Sequence, residues 1–385
     1  MNNTSLAQNF SSNKIKEDLS FLKRNLLSIH PNPFFKISEK EFDKYVNNFP
    51  QKPNIFDFVK LVSSIGDSHT QVKSLMNYLG EYIFPFSSEY FQDGFYITET
   101  EKKESSNIGR KIKAINNVDI NKIEKEISSL FACENIELTK ERLSEWIYEP
   151  IFLEYLSITK EQYLEIKLED TESFKITPIL RQEKLFNPRN DKIKDSVTLN
   201  IRNPLKTFYF KDLSSYYIQY NRSAKESSPL ITQIIEEVKK IKPQNVIIDL
   251  RNNNGGGSLV LDSLIDYLQE NKNNITSYIF ISRKTYSAAV VNALDLSDIS
   301  GSVLMGETTS GAPTKFGQAE KDIVLPHSKI KVSIATKYFD EKEFKFGEPL
   351  KPSIEIHESI EDFLNGKDIV WEKYLSLIKE KDQSF

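Results

Sequence analysis

Residues 246–257 read VIIDLRNNNGGG and carry the clearest fold signal in the chain. Four of the first five residues are apolar, which is typical of a strand buried on both faces of a parallel sheet. The glycines that follow indicate a loop, and a helical pattern begins at Ser258. This stretch therefore predicts a buried strand, a glycine-rich turn and then a helix.

Outward from this stretch, strand and helix patterns alternate. Apolar runs predict further strands at 216–220, 278–281 and 303–305. Helical patterns with apolar residues on one face lie between these runs. The βαβαβ order predicts a layered α/β core over residues 206–385.

The first half of the chain has a different pattern. Residues 1–75 are predicted to form a helical domain, in which the capping-box patterns at 38–41 and 54–57 mark two helix starts. Residues 76–180 mix strand-like and helical segments and predict a small α+β module. Residues 180–205 are polar and are interpreted as a linker.

Composition limits the classes of function. Charged residues make up 28% of the 385 residues, and the formal charge of −4 argues against nucleic acid as a partner. No apolar run is long enough for a membrane span, and residues 1–13 lack the pattern of a signal peptide. We therefore expect a cytoplasmic location for the chain as given, or a mature secreted form. Cys133 is the only cysteine, which rules out an intrachain disulfide and a cysteine-based zinc site. The oligomeric state stays open.

The glycine-rich loop is the first candidate for chemistry. Glycines at a strand end let the backbone approach a ligand and turn its amides towards it, and a following helix favours developing negative charge. The loop lacks the ending of a P-loop and the spacing of a dinucleotide fingerprint. An oxyanion hole formed by Gly255 or Gly256 fits it better. A plain turn is the alternative.

Ser287 is the second candidate, because it stands at a predicted strand-to-helix junction in the sequence TYSAA. The alternative is an ordinary N-cap serine. The small residues after it would leave the hydroxyl unshielded and make the amide of Ala288 available as a second oxyanion donor.

A serine nucleophile needs a base, and the third candidate is His69. Only His69 lies in a short polar loop, DSHT at 67–70, that could orient its ring. His30, His327 and His357 are interpreted as structural or exposed. A satisfied loop histidine is the alternative for His69.

Together these segments resemble the S41 peptidases, the family of C-terminal processing (tail-specific) proteases and tricorn protease. The segments that carry the resemblance are IGDSHT at 65–70, DLRNNNGGG at 249–257, YSAA at 286–289, GETTSG at 306–311 and GEPLKPSI at 347–354. The resemblance implies a crotonase/ClpP-like layered core, a peptide or protein substrate and acyl-enzyme chemistry, with no metal or organic cofactor. A hint of a reduced PDZ-like module falls at 92–125.

The family has two kinds of general base. In the processing-protease branch a lysine follows the GExTxG motif, whereas this chain has Ala312 there, so the Ser/Lys dyad is absent and Lys315 is not expected to be the base. The resemblance to the other branch implies that His69 is assisted by Ser68 and a late glutamate. Glu348 is the first candidate for that glutamate, and the rivals are Glu307 and Glu343.

The predicted function is thus a serine endopeptidase with Ser287 as nucleophile and His69 as base. An unperturbed histidine would make kcat/KM rise at roughly pH 6–7. Two other classes stay open: a non-catalytic S41-like module that binds an apolar ligand or peptide, and a crotonase-like acyl-CoA enzyme. Neither would need an activated serine.

Overall fold

The computed structural model describes residues 12–159, 162–189, 203–318 and 321–382. The middle of the predicted linker, 190–202, and the first eleven residues lie outside the described residues. The chain forms two compact units, each made of separate segments. The first unit is Met1–Tyr90, Gly94–Phe186 and Thr314–Lys345, and the second is Phe91–Asp93, Asn187–Pro313 and Phe346–Phe385. The predicted division at 1–75, 76–180 and 206–385 stays a prediction.

Helices and strands occur in both units of the described chain. The α-helices are α1 (Ser12–Ile29), α2 (Glu39–Asn47), α3 (Ile55–Ser63), α4 (Ile120–Leu130), α5 (Ile136–Trp146), α6 (Pro150–Tyr155), α7 (Ser228–Ile241), α8 (Asp262–Glu270), α9 (Ala288–Ser297), α10 (Ile360–Asn365) and α11 (Ile369–Asp382). The strands are β1 (Gln71–Val72), β2 (Tyr82–Ile83), β3 (Phe86–Phe91), β4 (Gly94–Thr100), β5 (Ile112–Ile115), β6 (Val118–Asp119), β7 (Leu164–Leu168), β8 (Ser173–Ile176), β9 (Ile179–Leu180), β10 (Leu205–Phe210), β11 (Ser215–Tyr220), β12 (Asn245–Asp249), β13 (Thr276–Ile281), β14 (Val303–Gly306), β15 (Lys315–Gly317), β16 (Lys321–Val324), β17 (Lys331–Ile334), β18 (Lys337–Phe339) and β19 (Ile354–Glu355).

The second unit is built on a six-stranded sheet in the order β10-β11-β12-β13-β14-β19. β10 is antiparallel to its neighbour, and the other pairs are parallel. α11 covers one face of the sheet through Tyr374, which packs with Tyr278 and Phe280, while α9 contacts β13 and β14. Every residue of β12 is buried, as its apolar sequence predicts.

The loops that follow β12, β13 and β14 all leave the sheet at the carboxyl ends of parallel strands. Neighbouring parallel strands bring such loops to one edge of the sheet, which is where open α/β sheets bind ligands. The glycine-rich loop follows β12, and the segment that ends in Ser287 follows β13.

The first unit has its own core, which runs from helices α1 to α3 through a four-stranded sheet, β6-β5-β7-β8, to the strands of the segment Thr314–Lys345. Both predicted capping boxes are confirmed. Ser38 accepts from the Glu41 amide in one, and Asn54 accepts from the Asp57 amide in the other. α3 ends just before the histidine loop, and β1 just after that loop pairs with β17.

The mixture of helices and parallel strands confirms the α/β class. The crotonase/ClpP-like core and the PDZ-like module at 92–125 stay predictions. None of the described helices combines the length and the apolar character that crossing a membrane requires.

Candidate active site

Ser287 has an unusual backbone conformation for a residue with a side chain. Its φ is 54° and its ψ is −118°, and it immediately precedes α9. Its side chain makes no N-cap hydrogen bond, so Ser287 is not an ordinary N-cap serine. A conformation of this kind costs about 1–3 kcal/mol and persists only where the surrounding structure imposes it.

The neighbours of Ser287 impose that conformation through close backbone contacts. A Cβ placed on Gly311 would lie 3.0 Å from the Ser287 nitrogen and 2.9 Å from the Tyr286 Cα. A Cβ on Gly255 would lie 2.7 Å from the Ser287 Cβ and 3.0 Å from the Ala288 nitrogen. Only glycine allows both approaches, because any side chain would displace the serine.

The three amides of the glycine-rich loop are not equivalent. The Gly255 amide donates to the Asn253 side-chain oxygen (2.9 Å), and the Gly257 amide donates to the Ser223 carbonyl (2.8 Å). Within the described residues, neither the Gly256 amide nor that of Ala288 donates to a protein acceptor. Two backbone donors are therefore available near the serine.

Asn253 holds this arrangement together, a role that sequence reasoning missed. Its side chain is fully buried and donates to the Tyr220 carbonyl (3.0 Å) while it accepts from Gly255. Its own carbonyl accepts from the Tyr286 amide (3.1 Å). One residue thus connects β11, the glycine-rich loop and the serine segment. It lies within the DLRNNNGGG segment, and that motif was the only available signal.

His69 lies in the first unit on the loop after α3, and 9% of its surface is exposed. Its Nδ1 lies 3.5 Å from the Ser68 Oγ. Ser68 in turn donates its hydroxyl to Glu134 Oε1 (2.8 Å), and the Ser68 amide donates to the same oxygen (3.0 Å). Because the Ser68 proton is used on Glu134, its oxygen is an acceptor for a proton on His69 Nδ1. With the proton on Nδ1, Nε2 of His69 is the basic nitrogen.

Glu134 is the carboxylate in contact with Ser68, and sequence reasoning missed it. It lies in the short connection between α4 and α5, where it reads as an ordinary loop charge, and no pattern in the sequence would have found it. Glu348, in the second unit, and Glu343, in the first, are exposed. The Oε1 of Glu307 lies 3.8 Å from a guanidinium nitrogen, Nη2, of Arg283. The roles predicted for these three glutamates stay predictions.

Burial changes the proton affinities around His69. It lowers the pKa of His69 to about 4, with Asp67 opposing the change and Lys315 and Arg142 adding to it. Burial raises the pKa of Glu134 to about 7, although the hydrogen bond from the Ser68 amide acts to lower it. It also lowers the pKa of Lys315, which is almost fully buried, to about 8. The predicted rise of kcat/KM at pH 6–7 therefore does not follow from the titration of His69 itself.

Asp67, His69 and Glu134 are the described residues whose ligand atoms come close enough to suggest a metal site, within 4.8 Å of one another. Their hydrogen bonds account for the arrangement without one. Asp67 accepts from His30 and from the His69 amide, and Glu134 accepts from Ser68.

The described fold belongs to the α/β class. No family model matches the sequence, and no curated protein matches it. The structure is similar to that of mature CPAF, with a TM-score of 0.62 and 12% identity over 95% of this chain and 96% of that one. CPAF complexed with lactacystin gives a TM-score of 0.61 and 12% identity, over 96% and 98% of the two chains. A putative S41 protease from Bacteroides fragilis NCTC 9343 has a TM-score of 0.42 and 13% identity, over 96% and 97%. The predicted resemblance to S41 peptidases is confirmed for the fold.

Proposed function

We propose that the chain is a serine peptidase that hydrolyses peptide bonds through an acyl-enzyme, with Ser287 as nucleophile and His69 as general base. The observation that carries the proposal is the conformation of Ser287, at φ 54° and ψ −118°, beside two amides without a protein acceptor. A serine held in this way at a helix start is typical of nucleophiles, because the turn exposes its oxygen.

In the proposed reaction, Ser287 Oγ attacks the carbonyl carbon of a peptide while its proton passes to His69 Nε2. The proton then goes to the nitrogen of the leaving amine as the peptide C–N bond breaks. Water repeats the sequence on the acyl-enzyme and releases the acid. The hydrogen bonds from His69 through Ser68 to Glu134 support this role, since they leave Nε2 unprotonated before the attack.

The oxyanion that forms on the substrate would be held by the amides of Gly256 and Ala288. Both lack a protein acceptor within the described part of the chain, and Ala288 begins a helix, where amides face outward. Gly255 has a different role in this proposal. Its amide is already bound to Asn253, and its missing side chain makes room for Ser287.

The two rival classes do not account for these features. A binding module needs neither a strained serine nor a directed hydrogen-bond chain behind a histidine. An acyl-CoA enzyme of the crotonase type would use the glycine loop but would leave Ser287 and His69 without a purpose. The proposed mechanism uses these residues alone and requires no cofactor.

The proposal is tested by incubating a peptide library with wild type and Ser287→Ala and reading the products by mass spectrometry. We expect cleavage by the wild type only. Cleavage that is equal in both would show that another residue carries the reaction. No cleavage by either, with peptide retained on the wild type, would favour the binding module, and thioester hydrolysis would favour the acyl-CoA class.

A further inference from the structure

Asp67 is a buried carboxylate that three donors hold in place. Its Oδ2 accepts from His30 Nε2 (3.1 Å), its Oδ1 accepts from the His69 amide (2.8 Å), and the Thr70 hydroxyl also donates to it. Burial alone would raise the pKa of Asp67, but the hydrogen bond from His30, nearby His69 and the other donors keep it below its ordinary value. Asp67 is therefore a fixed negative charge inside the first unit.

The hydrogen bonds of His30 determine its tautomer. The Asn32 amide donates to His30 Nδ1 (3.1 Å), so this nitrogen carries no proton. The proton is then on Nε2, where it is donated to Asp67. His30 is thus a neutral donor with its ring fixed by Phe316, at a centroid distance of 4.4 Å.

The Asp67 charge lies close to the ring of His69. The distance from Asp67 Oδ1 to His69 Nδ1 is 4.0 Å. Of the other groups near the ring, Lys315 and Arg142 are cationic and oppose a positive imidazolium, while Glu134 is reached through Ser68. Asp67 is thus a negative charge that lies close to the ring and favours its protonated form.

We propose that Asp67 and His30 are positioning residues for the base. Asp67 holds the His69 backbone and stabilises the imidazolium that forms when Ser287 gives up its proton, while His30 keeps Asp67 oriented. This inference rests on the proposed function. It adds two residues to the site that act through His69.

The test compares Asp67→Asn with Asp18→Asn. Asp18 is a matched control, since it is also a buried carboxylate of the first unit and accepts from the amides of His327 and Ser328 (2.8 Å each). We expect Asp67→Asn to lower kcat about tenfold or more with little change in KM. Asp18→Asn should lower stability and leave kcat close to that of the wild type.

A second readout does not depend on activity. Histidine NMR titration in the Ser287→Ala background measures the His69 midpoint directly, and Asp67→Asn should lower it because a stabilising negative charge is lost. His30→Leu should lower it as well. His30→Gln, whose amide can both donate to Asp67 and accept from Asn32, should bring the His69 midpoint part of the way back to the wild-type value. If Asp67→Asn does not fold, the comparison of His30→Leu with His30→Gln tests the inference.

An unchanged His69 midpoint in Asp67→Asn and His30→Leu would overturn the inference, and so would a loss of kcat no larger than that in Asp18→Asn. Failure of the proposed function looks different. In that case the wild type neither cleaves peptides nor reacts at Ser287, whatever the NMR midpoints show.

Discussion

The nucleophile region and the base region are assembled in different ways. Around Ser287, the groups in contact come from short segments, 253–257, 285–288 and Gly311, which follow three neighbouring strands of one sheet. Around His69, the partners come from positions as distant as His30, Glu134 and Lys315. A site built from short segments after sheet strands shows itself as a motif, whereas one built from scattered residues shows only the loop that carries its central residue.

The first prediction concerns the nucleophile region and has the largest expected effect. Ser287→Ala should lower kcat by roughly 10⁴-fold or more, because the chemistry depends on this hydroxyl. Ser297→Ala at the other end of α9 is the control, since its hydroxyl donates to the Leu294 carbonyl within the same helix. Adding His69→Ala to Ser287→Ala should cost almost nothing more, as expected of residues that act as a unit. Activity within about tenfold of the wild type would remove Ser287 from the account.

The second prediction separates the glycine-rich loop from an ordinary turn. A Cβ on Gly256 would lie 2.2 Å from the Ser223 carbonyl oxygen, so Gly256→Ala must shift the loop and its amide. We expect kcat to fall about 10²- to 10³-fold, as when an oxyanion donor is lost. Gly301→Ala is the control. It has a positive φ of 85° but no atom within 4 Å of the added Cβ, so it tests backbone strain without a clash. Equal effects on kcat from both variants would favour the plain turn.

The third prediction tests whether Glu134 supports the base. Ionised Glu134 strengthens the chain through Ser68 to His69, so kcat/KM of the wild type should rise with pH through about 7 and have a further limb near 4 from His69. Glu134→Gln keeps an acceptor for Ser68 but has no charge. The pH profile of Glu134→Gln should lack the limb near pH 7, and its kcat/KM at pH 8 should be about tenfold lower than that of the wild type. Glu348→Gln should keep both limbs. The reverse result would assign the supporting role to Glu348.

The fourth prediction concerns stability. The pKa of His69 is about 4 in the folded state against an ordinary 6.5, so the unfolded chain takes up a proton first as pH falls. The free energy of unfolding should therefore decrease between pH 6.5 and pH 4, by about 3 kcal/mol from this residue. Denaturant unfolding of wild type and His69→Gln across this range isolates the contribution of His69 to the free energy of unfolding, because Glu134 and the other groups titrate in both proteins. Parallel curves would show that His69 is not held neutral.

Much of the second unit could be predicted from the sequence. The strand at 246–250, the strands on either side and the junction at Ser287 follow from apolar runs and a serine before small residues. The strain at Ser287 could not be predicted, because it comes from the backbone of Gly311 and Gly255, which only the fold brings to it.

In the first unit, the loop at 67–70 and the capped helices were predictable, but the partners of His69 were not. Glu134 is separated from Ser68 by 66 positions and Lys315 reaches the same environment from a segment that follows the nucleophile. Contacts of this kind depend on the packing of several elements, and local patterns do not encode them.

In the proposed reaction His69, and not Lys315, activates Ser287. The rate of fluorophosphonate labelling, with the modified residue mapped by mass spectrometry, distinguishes the two bases when it is measured in wild type, His69→Ala and Lys315→Met. We expect labelling at Ser287 in the wild type, a rate at least about 100-fold lower in His69→Ala, and a rate within about tenfold of the wild type in Lys315→Met. Undiminished labelling of His69→Ala, or loss of labelling in Lys315→Met alone, would show that His69 is not the base.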